Sequence, residues 1–326
     1  MTILVTGAAG FIGAAVVERL LGRGERVIGV DNFNDYYDPG LKEARWRRSA
    51  GDPNYTTVRL DIAEAEALAA LVREGGVTRV VHLAAQAGVR HSIDNPFAYE
   101  RSNLAGHLSV LEACRHAGRP VPLVYASSSS VYGARPLEGQ GFRETDPVDK
   151  PVSLYAATKR SAELMSIAYA GLYGMAQTGL RFFTVYGPWG RPDMAYFGFT
   201  RKILADEPID VFGQGDMARD FTYIDDIVQG VLGVLDNPPA GGEHRLFNIG
   251  DSRPVGLMRM IEVLEEALGR TAEKRFLPMQ PGDVPVTFAD VSGLKTLIGY
   301  DPKVPLEAGI PRFVAWYRDF YGKVSR

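Results

Sequence analysis

Short β-branched and apolar runs alternate, through the first half of the chain, with longer stretches whose apolar positions recur at helical spacing. Runs at residues 2–6, 26–30, 56–60, 79–83 and 121–125 have the length of buried strands. The spacing between them predicts helices over 14–23, 63–74 and 96–117, the last as one long element. Residues 32–53 are polar, aromatic and basic with little period, and are expected to form a surface excursion. Strand followed by helix, repeated, is the pattern of a doubly wound parallel sheet in an α/β fold. Further on, 199–205 and 224–235 read as helices, 245–249 as a strand, and 255–268 as an amphipathic covering helix. Residues 238–242 form a Pro/Gly loop rather than a domain linker, and no internal repeat is present. Trp316, Tyr317 and Tyr321 are expected to pack, or to sit half exposed, rather than stack on a ligand.

Composition narrows the class. A chain of 326 residues can hold one large α/β domain or two lobes, and 46% hydrophobic with 23% charged residues is ordinary for a globular enzyme. A formal net charge of -3 argues against a general nucleic-acid binder, so an anionic ligand must find local basic groups. The single cysteine, Cys114, has no intrachain partner and lies in a helical pattern, which suits a buried thiol in a reducing cytoplasm. The first residues carry neither a basic segment nor a long apolar one, and no later apolar run reaches roughly 18 residues, so a soluble, cytoplasmic protein with no membrane contact is expected.

Three motifs bring chemistry. The first strand ends in Gly7-Ala-Ala-Gly10-Phe11-Ile12-Gly13 and a helix follows. Bare glycine backbone lets a pyrophosphate approach, and the helix start offers amide donors. The second strand ends at Asp31, where a carboxylate accepts the adenosine ribose hydroxyls and repels a 2′-phosphate, favouring NAD over NADP. Asp61 and Ile62, after the third strand, suit an adenine, and the fourth runs through Leu83 into Ala84-Ala85-Gln86-Ala87-Gly88, small enough for backbone to lie against a cofactor. Beyond the fifth strand stand Ser127, Ser128, Ser129 and Ser130, a source of hydroxyl donors at the crevice where such sheets bind ligands. Last, Tyr155 and Lys159 lie one helical turn apart on the same face. An ammonium beside a phenol favours the phenolate, so Ser128, Tyr155 and Lys159 form a set able to bind an alcohol oxygen and take its proton.

On these motifs the chain resembles the extended short-chain dehydrogenase/reductase family, and within it the nucleotide-sugar epimerases. The resemblance implies a Rossmann doubly wound parallel sheet over residues 1–180, to which later segments return, and a smaller C-terminal α/β substrate lobe, mainly 181–326, closing over a nucleotide sugar. For NAD it implies contacts from Gly7, Gly10, Phe11, Ile12, Gly13, Asp31, Asn32, Asp61, Ile62, Leu83, Ala84, Ala85, Gln86 and Ser102, with Tyr155 and Lys159. Arg181-Phe-Phe-Thr184-Val-Tyr-Gly187-Pro-Trp-Gly190-Arg191-Pro-Asp, the segment from Gly215 to Asp226, and Leu277-Pro-Met-Gln-Pro-Gly-Asp283 are similar to UDP-glucuronate 4-epimerases. That implies a UDP-hexuronic acid substrate whose carboxylate faces Thr184 and Arg191, with Arg90, Ser128, Ser129, Val211, Gln214, Arg219 and Asp283 also on the substrate, Arg219 at the diphosphate. A planar guanidinium suits a carboxylate because it grips both oxygens. Relatives that eliminate water or decarboxylate carry an acidic residue near this serine run, where this chain has Ser128, Ser129 and Ser130. Thr184 in place of the Asn usual in UDP-galactose 4-epimerases argues against a neutral hexose. UDP-glucose/UDP-galactose epimerisation, another nucleotide-sugar modification on the same fold, and a non-catalytic NAD-binding sensor stay open. No metal is expected. A homodimer is implied by resemblance, through the helices bearing Tyr155 and Cys114.

Overall fold

The computed structural model describes residues 1–135, 139–280 and 283–324; Pro281 and Gly282, inside the segment ending at Asp283, lie outside it. Its strands are β1 (Thr2–Thr6), β2 (Arg26–Asp31), β3 (Tyr55–Arg59), β4 (Arg79–His82), β5 (Leu123–Ser128), β6 (Gln177–Phe182) and β7 (Thr184–Tyr186). They continue as β8 (Ile209–Phe212), β9 (Ala218–Tyr223), β10 (His244–Ile249), β11 (Pro254–Gly256), β12 (Lys274–Leu277) and β13 (Val286–Thr287). The main sheet is parallel throughout, in the order β10-β6-β5-β4-β1-β2-β3. β1 therefore lies between β2 and β4, and the winding reverses there. Helices leave the sheet in opposite directions from that point, opening a crevice at the carboxyl ends of the strands.

Alternation along the strands fills both faces. Leu4, Val30, Val80 and Leu123 pack with Leu68, Val110 and Leu111 on one side. Ile3, Val5, Val81 and Val124 pack with Val16, Val17 and Leu20 on the other. β10 returns from the second half of the chain to pair with β6, and the remaining strands form a mixed sheet of β7, β9, β11 and β13 and the pair β8 and β12. Trp316 packs on Trp189 and Tyr317 on Phe197.

Three local expectations are corrected. The excursion after Asp31 contains a helix, Pro39–Arg47, because Asp38 caps the amide of Gly40, Pro39 opens the first turn, and Leu41 and Trp46 bury. The single helix over 96–117 is divided into Pro96–Tyr99, a π-helical turn Glu100–Ala105, and Gly106–Arg115. Residues 254–256 form β11 against β9 instead of a helical start, so that helix runs Leu257–Leu268.

Beneath the crevice lies a chain of neutral histidines. His82 Nδ1 is 2.7 Å from the Thr6 hydroxyl, His107 Nε2 is 2.9 Å from the Ser166 hydroxyl, and His244 Nε2 is 2.8 Å from the Tyr125 hydroxyl. Burial, then the nearby Lys159 ammonium, push the His107 imidazole down to about 3. The unfolded chain takes up that proton near pH 6.5 and the folded chain does not, so this residue's contribution is whole above about 6.5 and is lost as pH falls from there towards 3. Urea denaturation of His107→Asn is therefore expected to have a shallower pH dependence than the parent between pH 6 and 4, by about 1.4 kcal/mol per pH unit. Equal slopes would contradict the neutral assignment.

Candidate active site

A cavity of about 780 Å³ opens at the crevice and is lined on its other side by Phe199, Asp210, Phe212 and Asp283 of the later segments. At one end is the glycine turn. Gly7 has φ +71°, and a Cβ there would stand 2.7 Å from the backbone nitrogen of Ala84, so β1 and the exit of β4 meet only because the position has no side chain. Asp31, at the end of β2, accepts from the Ala9 amide at 3.0 Å and the Phe33 amide at 2.9 Å. Burial pushes its carboxyl up, and those amides oppose the shift. Gly10, Phe11, Ile12, Gly13, Asn32, Asp61, Ile62, Leu83, Ala84, Ala85, Gln86 and Ser102 line the same end. The π-helical turn has a purpose here: the Asn103 side chain pairs with both backbone groups of Gln86, at 2.8 and 3.0 Å, and donates to the Thr158 hydroxyl at 3.0 Å. That ties the wall of the cavity to the helix carrying Tyr155. Uncluttered glycine backbone with an anchored carboxylate beyond it fits an extended dinucleotide.

Ser128, Tyr155 and Lys159 line the same cavity. Ser153 caps the helix Leu154–Tyr173 by accepting the Ala156 amide at 3.1 Å, so Tyr155 sits in its first turn. Tyr155, Lys159 and Glu163 then follow at successive turns of one face. Burial raises the Tyr155 phenol, while the Ser128 hydroxyl and the Arg191 guanidinium pull it back. Lys159 donates to the Ala126 carbonyl at 2.9 Å, and burial lowers its ammonium to about 8 against the attraction of Glu163. The sequence pattern assigns the favouring of the phenolate to Lys159; the groups that lower the phenol in the structure are Ser128 and Arg191 instead. Glu163 is itself buried but is held below the usual carboxylate range by Arg181, which grips it at 2.8 and 2.9 Å, and by Ser127 and Arg160.

On the far side, Thr184 and Arg191 line the cavity together with Ser128, Ser129 and Tyr155. Arg191 holds Asp193 bidentately, at 2.9 and 2.5 Å. The loop before it is fixed by Arg45, whose buried guanidinium forks onto the Trp189 carbonyl at 2.9 and 2.7 Å and reaches the Gly190 carbonyl at 2.8 Å. Trp189 has φ +64°, a conformation unusual for a bulky residue, and these bonds secure it. Arg90 and Asp283, both expected on the substrate, also line the cavity, where they pair at 3.1 Å.

Three expected substrate residues are not brought to the cavity wall. Val211 is fully buried in the core, and its strand neighbours Asp210 and Phe212 face the cavity instead, as alternation demands. Arg219 donates to the carbonyls of Ala218 and Pro285, at 2.9 Å each. Gln214 lies in the 3-10 turn after β8, at φ +55°. Conversely, Asn34, Tyr36, Tyr37, Lys42 and Asp193 line the wall without having been singled out. The signal for the first four was the helix signature of Asp38 and Pro39, which turns the excursion into part of the site.

The chain matches the model of the NAD dependent epimerase/dehydratase family over residues 3–250. It is 47% identical over 336 residues to UDP-glucuronate 4-epimerase 1 of Arabidopsis thaliana, covering 99% of this chain and 78% of that protein. Its fold is similar to the crystal structure of UDP-glucuronic acid 4-epimerase from Bacillus cereus in complex with UDP-glucuronic acid and NAD, with a TM-score of 0.91 and 34% identity over 98% of this chain and 100% of that one. UDP-glucose 4-epimerase from Thermotoga maritima, solved with UDP-glucose, gives 0.88 and 31% over 98% and 100%.

Proposed function

The chain belongs to the NAD dependent epimerase/dehydratase family, and on that premise we propose that it is an NAD-dependent epimerase inverting C4 of UDP-glucuronate to give UDP-galacturonate, and the reverse. The observation that carries this reading is one cavity lined by the glycine turn and Asp31, by Ser128, Tyr155 and Lys159, and by Thr184 and Arg191. When bound, NAD would supply a reversible acceptor for the C4 hydrogen and its electron pair. Gly7, Gly10, Gly13, Asp31 and the wall from Leu83 to Gln86 would hold it.

Tyr155, as phenolate, takes the 4-hydroxyl proton, and the sugar becomes a 4-keto species. Ser128 hydrogen-bonds the C4 oxygen, and the same hydroxyl together with Arg191 favours the phenolate that burial opposes. Lys159 keeps a positive charge beneath the site at neutral pH, since its ammonium titrates near 8. After the ring presents its other face, Tyr155 returns the proton. Arg191 and Thr184 hold the carboxylate through both poses.

Incubation with UDP-glucuronate, followed by NMR, tests the reading. A mixture of UDP-glucuronate and UDP-galacturonate is expected, and conversion only of UDP-glucose or UDP-galactose would transfer the assignment to the neutral sugars. We further propose a homodimer in a reducing cytoplasm. Leu108 on the helix Gly106–Arg115 and Leu164, Ile167 and Leu172 on the helix Leu154–Tyr173 are exposed apolar side chains on packed neighbours, and support self-association. Cys114 is buried and its thiol is pushed up to about 12, consistent with a structural role. Among the described residues no helix is long and apolar enough to cross a membrane.

A further inference from the structure

The geometry points to Asp193 as the positioning residue that sets which edge of Arg191 meets the sugar carboxylate, an inference that rests on the substrate proposed above. A guanidinium has five N–H donors and can grip a carboxylate by its side edge, through Nε and Nη2, or by its end, through Nη1 and Nη2. Asp193 occupies the side edge: Oδ1 takes Nε at 2.9 Å and Oδ2 takes Nη2 at 2.5 Å. The end edge is left for a second carboxylate.

Asp193 is itself fixed. Its Oδ2 also accepts the Tyr36 hydroxyl at 3.2 Å. Tyr36 packs with His91 at 4.6 Å between ring centres, and its hydroxyl lies so close over Gly88 that no Cβ would fit there. Together with the Arg45 fork on Trp189 and Gly190, this fixes the entry to Arg191 and its side chain from two directions. Burial works against the Asp193 charge, and Arg191 holds the carboxyl below its usual range. A substrate carboxylate therefore meets an arginine already oriented, and one mode of grip remains. For a sugar that must turn over while keeping its carboxylate in place, a single mode confines the motion to the ring.

The test uses the protein as isolated, with its NAD content restored. Affinities for UDP, UDP-glucose and UDP-glucuronate are measured by calorimetry for the parent, Asp193→Ala, Asp193→Asn and Tyr36→Phe, and the product mixture from UDP-glucuronate is analysed by NMR. Asp193→Ala is expected to weaken UDP-glucuronate by at least about tenfold while UDP and UDP-glucose change by less than about twofold, and to increase loss of carbon dioxide from the substrate. Asp193→Asn, which retains one acceptor oxygen, should lie between it and the parent, and Tyr36→Phe should show a smaller change of the same kind. Unchanged or tighter binding of UDP-glucuronate by Asp193→Ala would overturn the inference, as would equal weakening of all three ligands, which marks a merely structural role. A parent protein that does not prefer UDP-glucuronate to UDP-glucose would instead remove the proposed substrate, and the inference with it.

Discussion

Tyr155→Phe is expected to lower kcat for epimerisation by about 10²- to 10⁴-fold, the range that positioned proton transfer contributes. The loss should fall on kcat, with affinity for UDP-glucuronate within a few-fold of the parent. In the proposed mechanism the phenol exchanges a proton with the C4 oxygen. Phenylalanine keeps the ring contact with Tyr99, whose centre lies 6.1 Å away, and so preserves the packing. Steady-state kinetics with a parallel binding measurement checks the split. Near-parental turnover would remove Tyr155 from the chemistry.

Arg191→Ala is expected to lower kcat/KM by about 10- to 100-fold, as loss of charged hydrogen bonds to the carboxylate implies. A second effect is more diagnostic. Once C4 is a ketone, the carboxylate on C5 belongs to a β-keto acid, and carbon dioxide can leave with its electron pair remaining on the ring. On the proposed mechanism Arg191 restrains the group by holding it, so the variant should release UDP-pentose products, seen by NMR and mass spectrometry. Arg191 also helps to lower the Tyr155 phenol, so part of the loss should appear in kcat. Parental rates with no pentose would place the carboxylate elsewhere.

Much of this centre was legible because its geometry is local. The glycine turn leaves β1 directly, Asp31 ends β2, and Tyr155 and Lys159 share a helical face, so sequence spacing nearly fixes their positions. Strand and helix alternation likewise announced the parallel sheet. What escaped depends on contacts between distant segments. The wall formed by Tyr36, Lys42 and Asp193 draws on an aromatic, basic stretch whose helix is short and whose buried side includes two cations, Lys42 and Arg45. No apolar period can report that. Cations at buried positions are intelligible only once their acceptors, the Asn34 oxygens and the Trp189 carbonyl, are in place. The π-helical turn escaped for a similar reason, since Asn103 is drawn towards Gln86 by a pairing outside its own helix. The Val211 side chain lies in the core while Asp210 and Phe212 line the cavity, because a displacement of one residue on a strand moves a side chain from one face to the other.

The central claim is that the C4 hydrogen leaves and returns with its electrons while Tyr155 handles only the oxygen-bound proton. UDP-glucuronate carrying deuterium at C4, converted in ordinary water, tests it most directly. Deuterium retained at C4 in the UDP-galacturonate formed, with slower turnover than the unlabelled sugar, is the predicted result. Loss of the label to solvent would mean that C4 gives up a proton, and would contradict the account.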